Sequence, residues 1–514
     1  MKARALFWQL HLWLGALSCL GLLLWAGSGL LHPIMARAQP QPAQRSAPVQ
    51  RIDLQHALPL AAALQQQGIA HIAQVQLAHI GGQSYYRVAL PQQAQAQYLQ
   101  INSGAALAAG DAQYAEQLAR HYTGLARTPV RSLRLVTQFD ADYLPINKLL
   151  PVWRVEFAQD DGLRAYIDTS QARLAALSDH RQAVLMRVFR IGHNWAFLDA
   201  APKLQISLMT ALLACLLFSA LSGLYFYWRL APSAQQRLRQ RPLTRWHRRL
   251  GLVVSVMLLM AVGSGAYHLL HGWQAVRTAP TALPPPAFAP FSPAEMTEHS
   301  WMGVSAQALT QLGLARLGGQ LVWMVQAAPS TATAAPSGPD TQVGQLAAAK
   351  TAAEHPGHEG HSAAPARNAN AQQSPSMWVL DEHGMPIENG MAAIAQALAL
   401  HHAQPSAALI KSRVEITRFN HEYGFFNKRL PVWRVALDDA AQTRLFVEPA
   451  SGALALRMDA SDAREGWSFS TLHKWHFIPW GADVRDALLA LFALGNLLVA
   501  GLGLWLFIRR YFSG

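Results

Sequence analysis

Cysteine is nearly missing from this chain. Cys19 and Cys215 are the only two in 514 residues. Both sit inside apolar runs, so a disulfide framework and CxxC-type metal or haem attachment are excluded. Charge is also scarce: Asp, Glu, Lys and Arg make up 14% of the residues, against roughly 25% for a soluble domain. The balance is basic, +13, but much of the excess lies beside apolar runs. That points to membrane topology and not to nucleic acid. Acidic residues are absent from the long apolar runs, which leaves little for a carboxylate proton relay or a metal permease.

Four apolar runs are present: Leu6–Leu31, Ile206–Tyr227, Leu250–Leu270 and Leu488–Ile508. Each is near the roughly 20 residues needed to cross a bilayer. Arg229, Arg237, Arg239, Arg241, Arg245, Arg248 and Arg249 crowd the short link between the second and third runs, Lys2 and Arg4 precede the first, and Arg509 and Arg510 follow the last. The positive-inside rule predicts cytoplasmic termini and a cytoplasmic Arg-rich loop. The expected organisation is a membrane helix over 1–32, a periplasmic domain over 33–204, a helix over 205–228, a cytoplasmic loop over 229–246, a helix over 247–271, a second periplasmic domain over 272–484 and a last helix over 485–508. Ala36-Arg37-Ala38 has the look of a signal-peptidase site. However, the run before it is longer than a usual signal core, and its pattern recurs inside the chain. The first helix is therefore expected to be retained.

The chain repeats itself. TQFDADYLPINKLLPVWRV (137–155) and TRFNHEYGFFNKRLPVWRV (417–435) share eleven of nineteen positions at an offset of 280. In the first and third runs, His11 and His32 match His247 and His268 at an offset of 236, each pair 21 residues apart. Ahead of the second and fourth runs, FRIGHNWAF and FSTLHKWHF pair His193 with His473, again at 280. The chain reads as two copies of one unit: span, external domain, His-containing lead-in, span. The offset grows by 44, so the second copy carries an insertion, placed at about 330–373. Its Ala, Ser, Pro, Gly and Thr cannot bury a core and predict disorder. HPGHEGH within it offers His355, His358 and His361 as a weak imidazole site for a transition metal.

Each external domain reads as α+β. In the first, a helical pattern covers Asp53–Gln67, strands are expected near 72–79, 84–90 and 96–101, a helix near 112–122, and strands near 131–139, 151–158 and 163–168. The LPVWRV motif is expected to be a core strand opened by proline, a structural element.

The chemistry is expected at the histidines. An ionisable residue in a membrane span is costly and is a functional hypothesis by default. Twenty-one residues of helix rise about 32 Å, roughly the hydrocarbon thickness, so His11 and His32 stand at opposite faces, as do His247 and His268. Gly15 and Gly251 lie one turn from the inner pair, and Ser28-Gly29 and Ser264-Gly265 one turn from the outer pair, leaving room for a flat macrocycle. Haem iron accepts two axial imidazoles from neighbouring helices. The pattern predicts two b-type haems, both bis-His ligated. His11 and His247 hold the inner one, and two of His32, His193, His268 and His473 hold the outer one. Either symmetric pair satisfies the repeat, and a mixed pair or a third haem stays open. Trp195, Phe197, Trp475, His476 and Trp480 are expected to line a substrate surface near the outer haem or to form an interfacial aromatic belt.

With HLWLG and HRRLG at the inner ends of the first and third spans, GSG near their outer ends and the LH pair at His473, the chain resembles the PepSY-associated transmembrane family over nearly its whole length. The first copy departs at His193, where GH replaces LH. The resemblance implies a bacterial inner-membrane protein with four spans and PepSY-like periplasmic domains. It also implies a haem-containing ferric-siderophore reductase that frees iron by one-electron reduction. The chain has no dinucleotide fingerprint or flavoprotein-sized cytoplasmic region, so membrane quinol or a separate reductase is the expected donor. The competing expectation is a non-enzymatic membrane-anchored protein whose external domains inhibit a peptidase or sense a ligand. A copper-reducing variant also remains in view because of the His-rich insertion.

Overall fold

The computed structural model describes residues 2–229, 241–278, 286–296, 309–317, 319–327, 377–381, 383–403 and 409–512. The insertion at 330–373, with His355, His358 and His361, lies outside the described residues, as do Arg237 and Arg239 of the basic loop.

Four long helices carry the apolar runs: α1 (Lys2–Gly29), continued almost directly by α2 (Leu31–Ala38), then α6 (Pro202–Arg229), α7 (Pro242–Thr278) and α10 (Ala482–Tyr511). All four are long and apolar enough to cross a membrane. Helix is the form such a run must take, because lipid offers no partner for a free backbone amide. Both α6 and α10 pack on α1 and on α7, so α1 and α7 face each other across a four-helix bundle. Its centre is closed by Cys19, Leu22, Leu216, Leu258, Val262 and Ala500. Both cysteines are free thiols.

The remainder is α+β. In the first half, α3 (Leu60–Gln66) precedes strands β1 (Gln74–Ile80), β2 (Gln83–Ala89) and β3 (Gln97–Gln100). Helix α4 (Gly110–Thr123) follows, then β4 (Val130–Val136), β5 (Val152–Phe157), β6 (Arg164–Asp168), β7 (Arg173–Ser178) and α5 (His180–Phe189). The second half repeats this order with β8 (Leu309–Leu317), β9 (Gln320–Ala327), β10 (Trp378–Leu380), α8 (Gly390–His402), β11 (Ile410–Ile416), β12 (Val432–Leu437), β13 (Arg444–Glu448), β14 (Ala453–Met458) and α9 (Ala460–Ser468). Residues 328–376 fall between β9 and β10, where the change in offset places the insertion.

The two halves share one sheet. Strand β1 pairs antiparallel with β8, joining Gln74 to Ala315 and Gln76 to Gly313, and the six strands run β10-β9-β8-β1-β2-β3. Strands β4–β7 and β11–β14 form two further four-stranded meanders. Side chains alternate along β1: Val75 and Leu77 enter the core with α3, while Ala78 and Ile80 pack with α4 against β5 and β6.

The repeated motif has a structural role in each half. Asp140 and Asn420 accept from the amides of Tyr143 and Tyr423. The tyrosine hydroxyls donate to the carbonyls of Leu149 and Arg429, and the rings stack on Tyr166 and Phe446. LPVWRV follows as β5 or β12. The two turns then meet each other: Lys148 Nζ donates to Asn427 Oδ1 at 2.6 Å and lies 4.8 Å from the centre of the Phe426 ring. Burial pushes the Lys148 ammonium down to about 8.

Two expectations differ in detail. Only Leu60–Gln66 of the helical pattern at Asp53–Gln67 is helix. Ile52 is instead held by a backbone bridge to Leu309 at 2.8 Å, and Pro59, with no amide to donate, fixes the helix start. Strand β7 and helix α5 were not anticipated, because RLAALS and HRQAVLMRVF are too short and mixed to read by period.

Buried polar clusters lock the halves. Asp111 accepts from Tyr98 Oη at 2.8 Å, Trp153 Nε1 at 2.7 Å and Thr169 Oγ1 at 2.9 Å, with Arg87 beside it. In the second half the matching position is Met391, and the Trp433 indole N–H is buried with no partner among the described residues. Across the halves, Glu448 pairs with Arg173 of the first half and with Arg429 at 2.6 Å, and Ser451 donates to it. Burial alone would raise the Glu448 carboxyl, but the two guanidiniums hold it down at about 2.

Two predictions follow from these clusters, both read as protection of the sheet amides against hydrogen exchange in the detergent-solubilised full chain. Trp153→Phe strips Asp111 of a donor and should cost about 1–3 kcal/mol, whereas Trp433→Phe removes an orphan and should be near neutral. Glu448→Gln should cost about 3 kcal/mol or more, because two buried guanidiniums lose their counter-charge. A free Glu titrates at about 4.3, above the folded value. The wild-type contribution is therefore complete above that pH and is lost as pH falls toward 2, a dependence that Glu448→Gln should lack.

Candidate functional site

Histidines gather at two levels of the bundle. At the first level, His11 on α1 faces α6: its Nδ1 is 2.8 Å from Ser222 Oγ, and a Cβ placed on Gly223 would stand 3.5 Å from its ring. His247 on α7 faces α10 in the same way, with Nδ1 3.2 Å from the Val499 carbonyl and a Cβ on Gly503 only 3.1 Å from its ring. Gly223 and Gly503 stand 280 apart, like the repeated motif.

At the second level, the lead-in segments fold into π turns, Arg190–Asn194 and Phe469–His473. The wider turn swings each histidine back onto the bundle. His193 Nδ1 lies 3.2 Å from Ser28 Oγ on α1. His473 Nδ1 lies 3.1 Å from the Ala261 carbonyl and 3.5 Å from Ser264 Oγ on α7. Ser28 and Ser264 each stand seventeen residues beyond the first-level histidine of their helix, roughly 25 Å along the axis. Close approach needs small residues here as well: a Cβ on Gly265 would meet the His473 ring at 3.5 Å, and one on Gly192 would meet Ser28 Cβ at 3.0 Å.

All four rings share one arrangement. Nδ1 is held by a carbonyl or hydroxyl, and Nε2 makes no hydrogen bond among the described residues. A fixed Nδ1 sets tautomer and ring plane and leaves Nε2 as the free donor atom, the disposition of a metal-ligating histidine.

His32 and His268 are placed differently. Their rings flank Phe189 and Phe469 at 6.3 and 4.3 Å, and those rings in turn stack on His193 and His473 at 4.8 and 4.7 Å. His268 is half exposed and bonds Glu465 through Nδ1, and its neighbour His271 bonds Asp462 at 2.9 Å. These carboxylates come from α9, outside the spans, and the apolar runs gave no sign of them. Among the described residues, no cluster of three or more His, Cys, Asp or Glu side chains forms a metal cage.

The aromatic expectation needs correcting. Trp195 and Trp475, taken as surface lining, are both only 5% exposed. Each adopts a left-handed backbone, φ +56°, which turns the ring inward. Trp195 stacks on Trp25, whose own indole donates to the His193 carbonyl at 3.1 Å, and Trp475 packs on Phe492. Neither Trp195 nor Trp475 has a partner for its buried indole N–H among the described residues, at a cost of about 1–3 kcal/mol apiece. Phe197 and Trp480 are exposed, and His476 is half-buried.

The sequence reading also passed over Asn496 on α10. It is 1% exposed, its Nδ2 donates to the Phe492 carbonyl at 2.8 Å, and its Oδ1 has no partner among the described residues. A lone polar residue inside an apolar run was the available signal.

Four membrane-length apolar helices joined to α+β domains define the molecule as a multi-pass membrane protein. The chain belongs to the family of the PepSY-associated TM region, whose model matches residues 8–510. No curated protein matches it.

Proposed function

We propose that this protein is a two-haem electron carrier of the bacterial inner membrane that reduces a ferric siderophore at its periplasmic face and so releases ferrous iron. The observation that carries the reading is the common disposition of His11, His247, His193 and His473, with four anchored Nδ1 atoms and four free Nε2 atoms at two levels of one bundle. This donor set fits b-type haem. His11 and His247 would hold one group and His193 and His473 the other, while His32 and His268 stand outside as flanking residues. When bound, haem supplies a one-electron couple, and a bis-imidazole site leaves no open position for oxygen chemistry.

The protein's residues do the rest. Ser222, Val499, Ser28 and Ala261 fix the imidazole planes, Gly223, Gly503 and Gly265 admit the rings, and the apolar centre around Leu22 and Leu258 keeps water from the space between the levels. The basic residues beside the spans orient the chain with both termini in the cytoplasm and the sheet domains in the periplasm. Electrons enter from quinol or a separate reductase. Each ferric centre takes one electron, and hard oxygen ligands hold the larger, less charged ferrous ion more weakly. The two matched halves are consistent with duplication of one helix–domain–helix unit.

An absorption spectrum of the purified chain tests this directly. A reduced α-band near about 560 nm with two haems per chain is expected. His11→Ala or His247→Ala should remove one haem, and His193→Ala or His473→Ala the other. His32→Ala and His268→Ala should keep both. Gly503→Val, which drives a side chain into the His247 ring, should behave like His247→Ala. A colourless protein from haem-sufficient cells would sink the reading and leave the sheet domains as a peptidase-inhibiting or ligand-sensing module.

A further inference from the structure

Strands β1 and β8 join the two halves, yet they pair over three residues only. The antiparallel ladder runs Gln74–Ala315, Val75–Leu314 and Gln76–Gly313, and there it stops. In the same register Leu77 would meet Leu312, Ala78 would meet Gln311 and His79 would meet Thr310. Both strands continue through these residues, each paired along its other edge: β1 to β2 as far as Ile80, and β8 to β9 as far as Leu309. The register of β8 on β9 slips at Thr310, and a bulge of this kind bends its strand and raises the local twist. On the far side of the bulge Leu309 exchanges two backbone bonds with Ile52, at 2.8 and 2.9 Å, in place of any with β1.

The parting leaves a strand edge open. Ser84, opposite His79 on β2, has its carbonyl turned to the β3 side, where the Ile101 N–H donates to it at 3.1 Å. Opposite residues of an antiparallel pair face each other or face away together. His79 therefore points its amide and carbonyl away from β2, toward β8, and Leu77, two residues back, does the same. The His79 carbonyl accepts from Gln117 Nε2 of α4 at 2.8 Å. Past Gln76 no strand lies beside this edge among the described residues. A cavity of about 130 Å³ sits there, bounded by residues 76–79 on one side and 310–313 on the other. Gln117, the turn at 169–172 and Ala450 of the second half close it, with Met324 and Met377 as apolar wall. Both halves thus build it, and such junctions are where ligand sites collect. The charge of Arg87 in the lining is already engaged, since it bonds Gln76 at 3.0 Å and lies beside Asp111. An open edge calls for a ligand with alternating N–H and C=O groups. A wall of amides and hydroxyls with no free carboxylate or ammonium calls for a neutral one.

We propose that this gap binds an extended, uncharged peptide segment of a partner protein. The segment adds to the edge of β1 at Leu77 and His79, and one of its small side chains enters the cavity. Main-chain bonds to β1 hold it, and the cavity selects by size. The site belongs to the sheet alone, so it goes beyond the electron-carrier reading and stands whether or not the bundle holds haem.

The test uses the full chain in detergent. It is mixed with hexapeptides of Ala, Gly, Ser, Thr and Gln, blocked at both ends, and hydrogen exchange is followed at residues 74–80. Exchange there should slow, while β11–β14 stay unchanged. His79→Pro removes the open N–H and leaves the β2 ladder intact, because proline is tolerated where the amide faces away from the sheet. It should weaken peptide binding roughly tenfold, the loss of one hydrogen bond, whereas His79→Ala should bind like wild type. Gln311→Trp, at an exposed position on the rim, should block the gap, which keeps the question answerable if the proline variant fails to fold. The same hexapeptides with every amide N-methylated should give no protection. Protection by the N-methylated set, or none by the parent set, would overturn the inference. So would a ferric trihydroxamate that protects residues 74–80 where the hexapeptides do not, since the gap would then belong to the metal substrate.

Discussion

Placing imidazoles inside a membrane bundle is the constraint on which the rest of the architecture turns. A ring with two nitrogens cannot sit among lipid-facing helices without a partner for at least one of them. Here the partner of Nδ1 is always a carbonyl or hydroxyl of a neighbouring segment: Ser222 on α6, Val499 on α10, Ser28 on α1 and Ala261 on α7. Each histidine thereby ties two elements together. Gly503 follows from the same need, since a Cβ there would stand only 3.1 Å from the His247 ring. Helix choice, helix neighbours and small residues are thus one solution to one cost.

The sheet domains solve a different problem with the same symmetry. Two α+β halves exposing free strand edges invite aggregation. The β1–β8 pairing removes one edge from each half by making a single six-stranded sheet. Contacts between the repeated turns and the Arg173–Glu448–Arg429 cluster then fix the relative position of the halves. The match is not complete. The Asp111 cluster of the first half has Met391 as its counterpart, and Glu448 recruits guanidiniums from both halves. A domain pair held in this way presents its lead-in segments to the bundle as one unit, with His193 set against α1 and His473 against α7.

A single chain then divides into a sheet assembly built from both halves and a bundle of four membrane-length helices. Among the described residues, α2 and the short α5 and α9 segments with their π turns lie between the two. Those turns carry the second-level histidines and lead directly into the buried tryptophans Trp195 and Trp475.

Much of this was legible in the residues themselves. The four spans, the two-fold repeat, the α+β order and the six histidines all follow from apolar length, spacing and offset, because those properties are local or periodic. The repeated LPVWRV motif could be read as structural from its alternation alone. Other features needed the tertiary structure. That His193 and His473 are held against α1 and α7 rests on the π turns, which no period reveals, and His268 meets a carboxylate of α9 that is distant in sequence. The burial of Trp195 and Trp475 rests on a left-handed backbone that propensity assigns to glycine or asparagine. The joint sheet and the Glu448 cluster join residues hundreds of positions apart. Sequence determined what each segment is; which segments meet was decided by the pairing and packing that bring distant residues within a few ångströms.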